Sequence, residues 1–148
     1  MLSPTFLAVL LAAMPSVYAI DKNWWPQVDC YVGNVMIDNH YVDHDRSLKY
    51  DWQLTYQTCI NNFAPQVARY DHGSGRVRYP LISETKLTYF VQCVAINTDV
   101  GIDGEKWWKD CKTQAQDGWY DVDPKTNNIV INHNAYTSTL AEGRGYGY

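Results

Sequence analysis

Four cysteines, Cys30, Cys59, Cys93 and Cys111, constrain this chain more than any other feature. They all follow a leader, "MLSPTFLAVLLAAMPSVYA", that carries no charged side chain. Phe6 to Met14 is an apolar run of signal-peptide length, and Val17-Tyr18-Ala19 ends it with small residues at both flanking positions. That pattern predicts a secretory signal over 1–19, removed after Ala19. Residues 20–148 then form one secreted domain, large enough for a real core. In an oxidising compartment an even cysteine count implies two disulfides, each contributing about 2–4 kcal/mol. Three pairings are open, and sequence does not choose among them. A zinc site would call for a Cys-x-x-Cys pair, which the chain lacks.

The leader is too short for a membrane anchor, because Pro4 and Pro15 bracket fewer than the roughly 20 apolar residues that span a bilayer. A net charge of -4 argues against a nucleic-acid partner held by bulk electrostatics. Six tryptophans and twelve tyrosines supply either core rings or a stacking platform.

Along the chain, "IDKNWWPQVDC" reads as a loop tied down by Cys30. "YVGNVMI" is β-branched and reads as a strand. Leu48, Trp52, Leu54, Tyr56, Cys59 and Ile60 give a mixed helical period over about 46–61, with Asp45 or Ser47 as cap. "HGSGRVRYPLI" is a glycine turn running into a strand that Pro80 confines to an edge or a bulge. "KLTYFVQCVAIN" is nearly continuous in apolar residues, as in a strand buried on both faces. "GEKWWKDCKTQAQ" is a candidate short helix. "GWYDV" and "NIVINHN" flank a turn at "DPKTNN". "AEGRGYGY" is glycine-rich, and its composition predicts a mobile tail from about 141. The expected class is α+β: one main helix packed on mostly antiparallel sheets, stapled by disulfides.

Candidate chemistry begins with acid-x-acid pairs, which occur at Asp43/Asp45, Asp103/Glu105 and Asp121/Asp123. "IDGE" contains Asp-Gly, a preferred turn dipeptide, so the pair alone is a turn signal. His40 and His44 have the i, i+4 spacing of helix-borne metal ligands, but no glutamate lies between them. Asp-rich loop surface explains them equally well, and no metal site is assigned. Ser74 in "HGSGR" lacks the spacing of a nucleophile elbow.

Taken in order, the motifs resemble something more specific. "YVDHDRS", "NFAP", "YDHGSGRVRYPLISET", "TYFVQCVAI", "DGE" and "DGWYDV…NHNAY" follow the sequence of segments in ADP-ribosyltransferases of the cholera-toxin and heat-labile-enterotoxin type. The resemblance runs from Tyr41 to Tyr136 and implies an ADP-ribosyltransferase-like fold with NAD as cofactor. Asp103 and Glu105 then match the Glu-x-Glu loop, and Ser83 and Thr85 the serine strand that shapes the nicotinamide-ribose pocket. Arg46 matches a secondary, cofactor-binding arginine. In this family a guanidinium holds the dinucleotide phosphates, and the second glutamate stabilises charge as nicotinamide leaves. The position of the family's catalytic arginine is Val42, which cannot replace a guanidinium fork. Glu84 also sets a negative charge inside the serine motif. The resemblance therefore implies a weakened or inactive transferase, similar to fungal secreted effectors that bind a host protein target as monomers.

A second resemblance is to fungal guanyl-specific ribonucleases and their inactive effector relatives. It rests on "YPLI", "YFVQCVAI" and "TDVG", with His72 and His133 as the paired histidines and Glu84 or Glu105 as base. A third expectation is a non-enzymatic adhesion or binding module, which calls for a contiguous exposed patch among Trp24, Trp25, Trp107 and Trp108.

Overall fold

The computed structural model describes residues 24–67, 72–78 and 91–146. Its elements in chain order begin with β1 (Trp24–Trp25), β2 (Gln27–Gly33), β3 (Met36–Ile37), β4 (His40–Tyr41) and β5 (Lys49–Tyr50). Helix α1 (Trp52–Asn62), β6 (Gly75–Arg78), β7 (Gln92–Ala95) and β8 (Ile102–Asp103) follow. Helix α2 (Gly104–Asp117), β9 (Asp121–Val122), β10 (Ile129–Val130), β11 (Tyr136–Thr137) and β12 (Leu140–Tyr146) complete the chain. The main sheet is antiparallel in the order β12-β2-β7-β6. With α1 between β2 and β6 and α2 between β7 and β12, this is a β-α-β-β-α-β or split βαβ arrangement.

The expected α+β class is present, but there are two helices rather than one main helix. α2 is the longer, at 14 residues against 11 for α1. Trp107, Cys111 and Ala115 recur at every fourth position of α2 and form its buried stripe. α1 starts six residues later than its periodicity predicts. Lys49 and Tyr50 are drawn off to pair with β2, and Asp51 caps the helix by accepting from Leu54 N at 2.8 Å.

The core lies between the helices and one face of the sheet, and includes Val28, Cys30, Leu54, Phe63, Trp107 and Trp119. The disulfides resolve the pairing left open by the sequence. Cys30–Cys111 ties β2 to α2, and Cys59–Cys93 ties α1 to β7. Each helix thus has one covalent link to the sheet.

The glycine-rich segment from 141, expected to be a mobile tail, is instead strand β12. All seven of its residues pair with β2. Its glycines serve a close approach: a Cβ on Gly143 would meet the Trp107 ring at 2.5 Å, and one on Gly145 the Trp25 ring at 2.2 Å. The segment before Cys30 is likewise strand rather than loop. Val28, Cys30 and Val32 face the helices, and Gln27, Asp29 and Tyr31 face the other way. Tyr79 to Phe90, which carry Pro80, "LISET" and the first half of the long apolar run, lie outside the described residues.

Candidate functional site

The transferase-like residues do not share a cleft among the described residues. Asp103 is the N-cap of α2 and accepts from Glu105 N at 3.0 Å and Lys106 N at 3.3 Å. Its other oxygen lies 3.7 Å from His72 Nδ1. "DGE" is therefore a helix start. Glu105 is exposed and accepts from Lys109 Nζ at 2.9 Å. That bond holds its carboxyl below the usual glutamate range. Arg46 lies at the other end of the sheet, its carbonyl 3.0 Å from where a Cβ on Gly33 would sit. Glu105 follows β8, which pairs with β1 just before β2 begins. The length of β2, about 20 Å, separates the two. Val42 is exposed. Ser83, Glu84 and Thr85 lie outside the described residues.

His72 and His133 sit at opposite ends of α2, about 20 Å apart by its rise per residue. His133 Nδ1 lies 2.5 Å from the Asn134 carbonyl, and Nε2 lies 3.2 Å from Asp121 Oδ2. Both partners are acceptors, so the ring is best satisfied as an imidazolium. The Asn134 carbonyl first, and Asp121 second, push its pKa up. A ring engaged on both nitrogens is a structural clamp rather than a free base. Asp121 completes the cluster by accepting from Tyr136 and Gln53. His40 and His44 are exposed, and no group of three metal-ligating side chains occurs among the described residues.

The tryptophans divide. Trp107 is buried in the core and donates its indole N–H to the Asp29 carbonyl at 2.8 Å. Trp24 and Trp108 are exposed, and Lys112 Nζ rests 4.1 Å from the Trp108 ring centroid.

A different cluster stands out on the sheet face turned away from the helices. Directly paired residues share a face, so Arg144 lies beside Asp29, Glu142 and Tyr50 beside Tyr31, and Tyr146 beside Gln27. Extending the β2–β7 register brings Gln92 beside Asp29 as well. The sheet forks here. Gln27 and Val28 pair with β7, whereas Tyr31 and Val32 pair with β5. Asp29 sits at the fork, and Tyr50 bridges it by donating to the Val91 carbonyl.

The Asp29 side chain is fully buried, yet neither carboxylate oxygen has a hydrogen-bond partner. Burial pushes its pKa up to about 7, against the weaker pull of Tyr146, Arg144 and Gln92 close by. Two of these neighbours also have stronger partners of their own. The Tyr31 and Tyr146 hydroxyls bond each other. Arg144 Nε donates to Glu142 at 2.6 Å, with the guanidinium carbon 3.9 Å from the Tyr31 ring centroid.

Sequence reasoning missed this cluster because it took the segment before Cys30 for a loop. The strict alternation in "QVDCYVG" was the available signal: apolar and cysteine positions face one way, Gln, Asp and Tyr the other. Compared with known families, with curated proteins and with solved structures, the chain gives no match. Fold and site define a disulfide-stapled α+β protein with an orphaned buried acid at a fork in its sheet.

Proposed function

We propose that this is a secreted, effector-like binding protein that recognises its target on the outer face of the sheet around Asp29 and does not turn over NAD. The observation that carries the reading is the Asp29 carboxylate, buried without a partner. A buried acid with a strongly displaced pKa opposes folding, and such groups concentrate at functional sites. Two disulfides suit an oxidising destination. No helix among the described residues is long and apolar enough to cross a membrane. The separation of Arg46 from Glu105, and the Glu105–Lys109 pair, leave the transferase-like reading without a gathered site among the described residues.

Two measurements test this. An NAD-turnover assay on the disulfide-bonded mature protein should give no product for wild type or for Glu105→Gln. Turnover that disappears in Glu105→Gln would restore the transferase reading. A protein-observed NMR screen with cationic, anionic and neutral fragments should cluster its shifts at Asp29, Tyr31, Gln92 and Tyr146. Shifts confined to the N-terminal end of α2 would overturn the assignment of the face.

A further inference from the structure

We propose that the fork at Asp29 is a cation site: Asp29 supplies the counter-charge, Tyr31, Tyr50 and Tyr146 the walls, and Arg144 a displaceable internal cover. The ligand class is a guanidinium or ammonium group. The proposal rests on the binding reading above and specifies its chemistry.

The acid comes first. Neither oxygen of Asp29 makes a hydrogen bond of full geometry, and only Tyr146 and Gln92 lend it weak donors from close by, so its charge is undercompensated. A planar guanidinium is the donor that fills a carboxylate edge with two parallel bonds. Water or a neutral hydroxyl would leave the charge uncompensated in a place that already opposes it. A divalent metal is disfavoured, since no group of three metal-ligating side chains occurs among the described residues.

The walls come second. Aromatic faces attract cations, more strongly where water is excluded. The Tyr31 ring already carries one, the Arg144 guanidinium. Tyr50 meets the Tyr31 ring edge-on at 6.1 Å between centroids, and the Tyr146 hydroxyl bonds that of Tyr31. Three tyrosines and one acid around one point are the composition of an aromatic cage for alkylammonium or guanidinium groups.

The cover comes third. Arg144 is directly paired with Asp29 yet turns its guanidinium to Glu142. Arg144 and Tyr146 are both exposed and lie on β12, the edge strand of the main sheet. Both side chains can turn away from the acid without breaking the sheet. Among the described residues, the other charges that strand pairing places on this face are Arg76 and Arg78 of β6. Arg78 lies two strands from Asp29, about 10 Å away, which favours a ligand whose cation enters from the β12 side.

The test is an NMR titration of the tyrosine ring signals of the disulfide-bonded mature protein. The probes are N-acetyl-arginine amide, choline and the neutral isostere N-acetyl-citrulline amide, at pH 8 and pH 5. The arginine probe stands for a side chain of a protein partner and choline for a free small-molecule quaternary ammonium, which the rings can hold without an N–H donor. Whichever binds more tightly identifies the source. Saturable shifts are expected with a cation at pH 8, at least tenfold weaker binding at pH 5 and in Asp29→Asn, and none with citrulline. Arg144→Gln should bind several-fold more tightly, because it removes the internal competitor. The inference is overturned if cations leave the rings unshifted in both wild type and Arg144→Gln, if binding survives Asp29→Asn, or if Arg144→Gln weakens it. Neutral or anionic fragments that shift the same rings irrespective of Asp29→Asn would leave the recognition face standing and remove only the cation assignment. No shift at this face with any probe would remove both.

Discussion

Moving a carboxyl group out of water raises its pKa unless cations or donors replace the lost hydration. Asp29 has neither at bonding geometry, and the linkage consequence has a definite sign. Its pKa rises from 3.8 unfolded to about 7 folded. Between those values the native protein holds a proton that the unfolded chain has released. Stability therefore falls as pH rises through that window, by up to about 4 kcal/mol once pH exceeds 7. Asp29→Asn removes the titration and keeps the shape. Its stability relative to wild type should climb between pH 4 and pH 8, read by urea unfolding at each pH. Parallel stability curves for the two proteins would show that Asp29 ionises freely in the fold. A bound cation acts oppositely, restoring wild-type stability at high pH by mass action. The same residue thus opposes the empty fold and favours the occupied one.

At the scale of elements, the sequence shows local structure well and pairing poorly. The hairpin around "DPKTNN" was legible because Asn127, with φ +58°, turns the chain between β9 and β10. α1 was legible in existence but blurred in period, because its buried face includes Thr55, Gln57 and Thr58. Thr55 Oγ1 accepts from Cys30 N at 2.8 Å, so a polar residue takes a core position. β12 was illegible. A run of glycines reads as flexible by composition, and only the tryptophans that pack on it reveal why Cβ atoms are excluded. The Asp29 site joins residues from β2, β5, β7 and β12, so nothing local could assemble it. The close packing of α2 on β12 has a direct test. In Gly143→Ala the new methyl would lie 2.9 Å from the Trp108 Cα, which belongs to the α2 backbone and cannot swing aside. The expected loss is about 1–3 kcal/mol, measured by thermal or denaturant unfolding with both disulfides intact. An unchanged midpoint would mean that α2 and β12 do not pack this closely.

At the scale of the molecule, the two disulfides divide the work of holding two helices to one sheet. Cys30–Cys111 closes a separation of 81 residues and Cys59–Cys93 one of 34. In the chain-entropy account each contributes about 4 kcal/mol, the longer loop slightly more. Their consequences for the site differ beyond that. Cys30 follows Asp29 on β2, and its partner Cys111 lies one turn of α2 beyond Trp107, whose indole holds the Asp29 carbonyl. Losing this bond frees α2 from the strand that carries the acid. Losing Cys59–Cys93 frees α1 from β7, which sets Gln92 beside the acid but does not carry it. The Cys30→Ala/Cys111→Ala pair should therefore be the less stable variant. At temperatures where both pairs remain folded, it should also show the larger change in Tyr31 and Tyr146 ring signals. If the Cys59→Ala/Cys93→Ala pair disturbs those rings more, the anchoring of the site runs through β7 and α1 instead of through β2 and α2.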